Sequence, residues 1–517
     1  MQRYNILWAD DEIDLLRPHI MFLDKKGYDV IPVNSGSDAL EKCDAENFDI
    51  VFLDENMPGM TGLETLTRIK AKRPDLPVVM ITKSEEEHIM EEAIASKIAD
   101  YLIKPLNPNQ ILLSVKRILE NKRLVTEKTN LNYQQQFQQI STAVNDYLSH
   151  DEWSDLYQKL VYWELEFESN QNRQMKEILE MQKMEANLNF MKYVKDNYED
   201  WLDPTEDDTP ILSHQLLRKK VFPQLKNNSS TFFIIIDNLR FDQWKVIEPF
   251  INEFFRIDST DLYYSILPTT TGYARNAIFS GLLPLEMSEK YPDIWMNEDE
   301  EGGKNNHEED FLNRHIKRLR LDIRTSYQKI KNLNQGRNLV DNIVNLIHND
   351  LNVIVYNFVD MLSHARTEME IIRELAPDES AYRSLTRSWF QHSPLLEIIK
   401  RISESGARLI ITTDHGTVRV KKPFKIVGDR NTNTNLRYKV GKNLNFEEEK
   451  IYYTRNPEQI HLPKINVSST YVFAVEDLFF AYPNNFNYYV NYYKDTFQHG
   501  GLSMEEMIIP IISLNSK

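Results

Sequence analysis

One cysteine, Cys43, stands in a chain of 517 residues. That scarcity excludes an intrachain disulfide and a cysteine-rich zinc site. Positive charge is also short: 61 Lys and Arg face 78 Asp and Glu, for a formal net charge of -17. A protein that grips duplex DNA usually presents a basic footprint, so no stable duplex DNA binding is expected. A bound cation reverses the local potential, which leaves open a metal site that handles a phosphodiester. No apolar run is long enough to span a bilayer, so no membrane insertion is expected. The opening MQRYNILWADDE runs straight into a strand pattern without the form of a signal peptide. The expectation is a cytoplasmic protein. Glycine and proline are almost missing between residues 121 and 200.

What is present begins with apolar residues, 41% of the chain, enough for sizeable cores. At roughly 150 residues per domain, the length suggests two to four domains. In residues 1–120, strand and helix patterns alternate five times, which predicts one doubly wound α/β domain. The helices include Leu15–Lys25, Ser37–Ala45, Gly62–Ala71 and Glu85–Ser96. Polar groups follow the strands: Asp10 and Asp11, Asp54, Thr82, then Lys104. Three carboxylates at one sheet edge repel one another unless a hard cation such as Mg²⁺ sits among them. Thr82 and Lys104 end neighbouring strands, where they can hold the oxygens of a phosphoryl group placed on Asp54. Aspartate is a phosphoryl-accepting nucleophile.

With DDE at 10–12, LDENMPGMTG at 53–62, Thr82 and the Lys104–Pro105 pair, residues 3–120 resemble a receiver domain of the response-regulator family. The resemblance implies phosphorylation of Asp54, Mg²⁺ on Asp10, Asp11 and Asp54, and a switch pair of Thr82 and Tyr101. It also implies a phosphoryl contact from Lys104 and a cis Lys104–Pro105 bond. Lys83 stands where that family more often has a small residue.

Residues 121–204 are rich in Gln, Glu and Lys. Leu156, Leu160, Trp163 and Phe167 recur at helical spacing, as do Met175, Ile178, Met181 and Met184. Both stripes predict amphipathic helices that pack as a linker bundle, with the methionines in its core. The stretch from Asp203 to Pro210 reads as a boundary.

Residues 205–517 read as a second α/β domain. Strands are predicted at Phe232–Ile236, Leu262–Leu267, Asn352–Phe358 and Arg408–Thr413. Helices are predicted at Asp242–Phe254, Tyr273–Leu282, Gly336–His348 and Leu395–Ser403. The C-terminus reads as a glycine turn, a short helix and an apolar strand. The acidic, Asn-rich segment Ser288–Glu309 reads as an exposed loop on an inserted cap. Again the polar groups gather after strands: Asp237, Asp360 with His364 four residues on, Asp414 with His415, and His499 before two glycines. Thr271, at the mouth of a predicted helix, is placed to meet an anion. Arg275 is placed either to meet a non-bridging phosphate oxygen or to pair with a nearby carboxylate. Mixed imidazole and carboxylate ligands suit Zn²⁺, or Mn²⁺ where oxygen dominates. Seven groups are too many for one zinc and suit two ions.

With DNLRFD at 237–242, PTTT at 268–271, DMLSH at 360–364, TDHG at 413–416 and HGGLSMEE at 499–506, this region resembles the PglZ branch of the alkaline-phosphatase superfamily. The resemblance implies one metal on Asp237, Thr271, Asp414 and His415, and a second on Asp360, His364 and His499. It makes Thr271 the nucleophile. It does not choose among phosphate monoesters, diesters and sulfates.

The full chain resembles the PorX-like response regulators linked to type IX secretion. That resemblance implies a sensor histidine kinase of the PorY kind, phosphorylation-promoted homodimers, and a sigma factor or secretion-machinery component as partner. The leading expectation is a phosphorylation-controlled phosphodiesterase acting on nucleotides or oligonucleotides. The rival is a non-catalytic signalling adaptor. A DNA-binding regulator is weakest, for want of basic charge and a recognition helix.

Overall fold

The computed structural model describes residues 4–83, 98–169, 173–203, 208–225, 229–298, 300, 302–428, 432–466 and 468–517. The predicted helix Glu85–Ser96 lies outside them. The chain divides into two compact units, Met1–Gln134 and Gln135–Lys517.

The first unit is built on five parallel strands: β1 Tyr4–Ala9, β2 Tyr28–Val33, β3 Ile50–Asp54, β4 Val78–Thr82 and β5 Asp100–Ile103. Their order is β2-β1-β3-β4-β5. β3 and β4 are buried along their whole length, as apolar strands covered on both faces should be. Alternation splits their side chains between two cores. Val51, Leu53, Val78 and Met80 enter one, and Ile50, Phe52, Val79 and Ile81 the other. Helices α1 (Arg17–Lys25), α2 (Gly36–Ala45) and α3 (Gly62–Lys72) connect the strands. A single 3₁₀ turn, Ile13–Leu16, precedes α1 where the sequence predicts helix from Leu15. Thr61 and Glu64 close a reciprocal capping box at α3, with both hydrogen bonds at 3.2 Å. The strand order reverses between β2-β1 and β3, and ligand crevices form at such a point.

Three helices follow: α4 (Pro108–Asn145), α5 (His150–Ser169) and α6 (Arg173–Leu202). The predicted stripe of Leu156, Leu160, Trp163 and Phe167 is the buried face of α5. The predicted methionine stripe of α6 is corrected, since Met181 and Met184 are 65% and 43% exposed. The buried side carries Leu179, Gln182, Ala186 and Phe190 instead. A polar residue occupies that face because Gln182 Nε2 donates to Ser141 Oγ at 2.9 Å and Phe137 O at 3.3 Å.

The second sheet contains β6 Thr231–Ile236, β7 Phe255–Tyr264, β8 Thr325–Ile330, β9 Leu351–Tyr356, β10 Arg408–Thr412 and β11 Ile508–Ser516. Their order is β7-β11-β10-β6-β9-β8. The four strands from β10 to β8 are parallel, while β11 runs antiparallel between β10 and β7. β6 and β9 are wholly buried, which fits their unbroken apolar runs. Sequence patterning misses β8, TSYQKI, because an edge strand with mostly half-buried residues lacks such a run. β7 starts seven residues earlier than Leu262 and ends before Ser265, where the chain turns off toward Pro268. The predicted helix Tyr273–Leu282 is split into a π-helical turn, Thr271–Arg275, and a short helix, Asn276–Ser280. Among the described residues no helix is long and apolar enough to cross a membrane.

Candidate metal centres and phosphoacceptor site

In the first unit, Asp10 follows β1 and Asp54 ends β3, so the crevice at the order reversal receives both carboxylates. Ligand atoms of Asp10, Asp11 and Asp54 all lie within 4.8 Å of one another. Lys104, just past β5, reaches across with its Nζ 2.8 Å from both Asp10 Oδ2 and Asp54 Oδ1. Burial raises the Asp54 carboxyl's pKa, and the hydrogen bond from Lys104 only partly opposes that. Burial by itself would lower the Lys104 ammonium's pKa, but the two carboxylates outweigh it and raise it. Thr82 is buried at the end of β4, and Tyr101 is half-buried in β5. The Lys104–Pro105 bond is cis. Lys83 turns outward to Glu12, Nζ to Oε2 2.9 Å. It takes none of the clustered carboxylates.

In the second unit three neighbouring parallel strands deliver three carboxylates to one edge. Asp237 follows β6, Asp414 follows β10 by two residues, and Asp360 lies in the first turn of the helix Phe358–Glu368 after β9. His415 comes with Asp414, and His364 lies one helical turn beyond Asp360. The short antiparallel pairing of Val418–Arg419 with Phe497–Gln498 brings His499 beside His415. Their rings stack with centroids 4.3 Å apart. Gly500 next to His499 has φ +119°, and a Cβ there would lie 2.7 Å from Tyr438 Cδ1. Only glycine suits that turn.

Two clusters result. Asp237, Asp414 and His415 form one, and Asp360, His364 and His499 the other, each with ligand atoms within 4.8 Å of one another. Thr271 Oγ1 lies 3.2 Å from His415 Nε2 and 3.4 Å from Asp237 Oδ1. His499 Nε2 lies 3.5 Å from Asp360 Oδ1, and His364 Nε2 3.6 Å from Asp360 Oδ2. Both inner imidazoles point Nδ1 at a main-chain carbonyl, His415 at Gly416 O (3.1 Å) and His499 at Thr269 O (3.4 Å). That arrangement leaves Nε2 free to ligate, with the ring held from behind.

The donor set fits divalent metal. Asp414 Oδ2 is buried without a hydrogen bond among the described residues. Arg275 Nη1 lies 3.6 Å away and His415 Nε2 3.7 Å, both beyond hydrogen-bond distance. Burial raises the pKa of Asp237 and Asp414, and burial lowers that of His415 to about 4. Unprotonated imidazole is the ligating form, and crowded buried carboxylates are those a cation would relieve. His499 is raised despite its burial, because Asp360 pairs with it.

Arg275 settles between its two sequence alternatives. It is fully buried, with Nη1 2.8 Å from Asp237 Oδ2 and Nε 2.7 Å from Glu308 Oε1. It does not line the open cleft, which holds Thr271, His364 and His499. The carboxylate alternative is the one observed.

The reading of Ser288–Glu309 as exposed loop is also corrected. Glu308 is buried and holds Arg275, while Lys304 and Glu298 line the cleft beside Thr271. Polar composition hid this, because acidic, Asn-rich sequence reads the same whether it faces water or a polar site. Sequence reasoning likewise missed Arg437, which pairs with Glu506 in full burial, Nη2 to Oε2 2.5 Å. Gly501 N donates to Glu506 Oε1 at 2.9 Å, so this pair braces the His499 turn. Asn187 of α6 grips the same region, accepting from Met504 N at 2.8 Å.

Residues 216–514 match the BREX system PglZ alkaline phosphatase-like domain, residues 123–202 the PorX response regulator linker domain, and residues 6–116 the response regulator receiver domain. Over 114 residues the chain is 32% identical to the transcriptional regulatory protein ResD of Bacillus subtilis, covering 22% of this chain and 47% of ResD. Over 126 residues it is 29% identical to the alkaline phosphatase synthesis transcriptional regulatory protein PhoP of the same species, covering 24% and 52%. This chain thus spans about half the length of these relatives. Among solved structures, the BeF3-activated DrrB receiver domain is 30% identical, covers 23% of this chain and 99% of that domain, and gives a TM-score of 0.22. A CheY-like receiver from Methanospirillum hungatei JF-1 is 26% identical, with coverages of 23% and 96% and a TM-score of 0.23. With more than half its length in the match, this chain belongs to the PglZ alkaline-phosphatase-like family, its PglZ domain following a receiver and a linker of the PorX type.

Proposed function

We propose that the protein is a cytoplasmic two-component response regulator whose output domain is a metal-dependent phosphodiesterase for nucleotide or oligonucleotide substrates. The observation that carries this is the place of Thr271, its hydroxyl 3.2 Å from His415 Nε2 and facing the same cleft as His499 and Asp360. Asp237, Asp414, His415 and Thr271 would hold one ion, and Asp360, His364 and His499 the other, Zn²⁺ or Mn²⁺ in both. When bound, such ions supply Lewis-acid charge that stabilises attacking and leaving oxygens. Thr271 Oγ forms a bond to phosphorus as the bond from phosphorus to the first alcohol breaks. Water then attacks phosphorus, the Thr271 Oγ–P bond breaks, and a monoester leaves. Arg275 orients Asp237 and does not touch the substrate. A binding adaptor has little use for a hydroxyl held at this position.

Control comes through Asp54, phosphorylated by a sensor histidine kinase of the PorY kind, with Mg²⁺ on Asp10, Asp11 and Asp54. A phosphoryl group adds strong acceptors beside Thr82 and Lys104. Phosphorylation-promoted homodimers and regulation of type IX secretion complete the reading. The test is a turnover panel on metal-analysed full-length protein, with and without acetyl phosphate. It compares phosphate monoesters, linear and cyclic dinucleotides and short oligonucleotides. Diester turnover that tracks metal content supports the reading. No diester turnover in either phosphorylation state, with both ions counted, would transfer it to an adaptor that binds a sigma factor or secretion component.

A further inference from the structure

The cleft at the Thr271 turn, about 220 Å³, is lined on one side by Glu298, Lys304 and Asn305. Among the described residues lining it, Lys304 is the one Lys or Arg. Its Nζ lies 2.7 Å from Glu298 Oε1, and Tyr438 donates its hydroxyl to the same oxygen at 2.8 Å. Lys304 is fastened to the Thr271 turn: Asn276 Nδ2 donates to Gly272 O and to Lys304 O, each at 2.8 Å. A Cβ built on Gly272 would lie 3.2 Å from Lys304 Cβ, so the lysine stem lies directly over that turn. Lys329 Nζ holds Asn305 O at 2.8 Å from behind. The Lys304 side chain is 24% exposed and Glu298 7%, too enclosed for a freely solvated pair.

We propose that Glu298 and Lys304 form a charge-matched subsite that holds the phosphate of a diester and rejects the doubly charged phosphate of a monoester. This inference rests on the phosphodiesterase reading above. A diester phosphate carries one negative charge, whereas a monoester carries close to two at neutral pH because its second pKa is about 6. The lysine ammonium has three donors, so it can keep Glu298 and still donate to one non-bridging oxygen. It meets the phosphate as a point charge, without the bidentate fork of arginine. Glu298 cancels most of the lysine's charge beyond that one contact, and a dianion meets the carboxylate's repulsion. Tyr438 fixes the carboxylate, so it cannot swing away to admit the extra charge. A mere loop staple would use the same pair but would not read the charge of the ligand.

The test uses full-length, zinc-loaded wild type, Glu298→Gln, Lys304→Gln and Lys304→Arg. Turnover is measured on bis(p-nitrophenyl) phosphate and p-nitrophenyl phosphate. Binding of dimethyl phosphate and inorganic phosphate is measured by calorimetry, with melting temperatures as the control for folding. Glu298→Gln is expected to raise the monoester-to-diester ratio of kcat/KM on the order of tenfold, the effect of one nearby charge in a half-screened site. It is expected to tighten inorganic phosphate relative to dimethyl phosphate by a similar factor. Lys304→Gln should weaken both ligands, mainly through KM, and Lys304→Arg should restore them. Unchanged ratios in folded Glu298→Gln, in turnover and in binding, would overturn the subsite. If wild type cleaves no ester yet the binding ratio shifts, the subsite stands and the phosphodiesterase reading falls. If wild type cleaves diesters and neither ratio shifts, the reading stands and the subsite falls.

Discussion

Arg275 Nη1 and Asp237 Oδ2 lie 2.8 Å apart, and both side chains are sealed from solvent. The guanidinium fixes the carboxylate's direction, and Glu308 fixes the guanidinium. Arg275→Met would leave the buried Asp237 carboxylate without its guanidinium, while Glu308 keeps Lys329 Nζ at 2.9 Å, and breaking one such buried pair costs about 3–5 kcal/mol. The expected outcome is a lower melting temperature together with loss of the ion at Asp237. An unchanged melting temperature and metal content, with only kcat reduced, would instead put Arg275 on the substrate.

Metal analysis of the second unit's centre should count about two transition ions per chain. His364→Ala and His499→Ala should each remove the ion at Asp360, and Asp414→Ala the other. His364 is the cleanest probe because its side chain is 62% exposed, so truncation costs little packing. Melting curves must accompany the counts, since carboxylates left without a cation repel one another. One ion in saturated wild type would contradict the two clusters.

Acetyl phosphate with Mg²⁺ should label wild type and leave Asp54→Ala unlabelled. Lys104 already bridges Asp54 and Asp10. Lys104→Ala should therefore retain the acceptor but blunt the response to its phosphorylation, read as the phosphate-dependent change in mass of the assembly. Equal labelling of Asp54→Ala would place the phosphoacceptor at another residue.

Acid should expose the tie between α5 and the PglZ domain. Arg383 Nη1 lies 2.7 Å from Glu164 and 2.8 Å from Asp242, and Lys183 lies 2.6 Å from Glu164. Burial would raise the Glu164 pKa, but Lys183 and Arg383 outweigh it and hold it well below the usual carboxylate range. A depressed folded-state pKa gives stability that is fully present above the unfolded value of about 4.3 and is lost as pH falls through the folded one. Glu164→Gln should therefore cost about 3 kcal/mol at neutral pH. The deficit should shrink as the pH drops below 4. A deficit independent of pH would place the effect in packing.

Residues that end strands were legible in the sequence. Asp10, Asp54, Asp237, Asp360 and Asp414 each follow an apolar run, and period-two or unbroken burial makes such runs visible. His499 was legible only through its glycine turn. What escaped lacks periodicity. β8 is a half-buried edge, the α6 methionines share a helical period with a different buried face, and Glu298, Lys304 and Glu308 meet polar partners. Glu308 and Arg437 are paired in burial with residues 33 and 69 positions away, which no local pattern records.

In the proposed reaction Thr271 makes and breaks the bond to phosphorus, and Thr271→Val removes the one atom that can do so. Valine keeps the shape and the β-branch and removes only the oxygen. The measurement is diester turnover by zinc-loaded wild type and Thr271→Val, with metal content and melting temperature determined on the same preparations. Thr271→Val is expected to keep the fold and at least the ion at Asp360, with a rate lower by roughly a hundredfold or more, the usual size of one essential catalytic group. Wild-type turnover by Thr271→Val with both ions bound would contradict it.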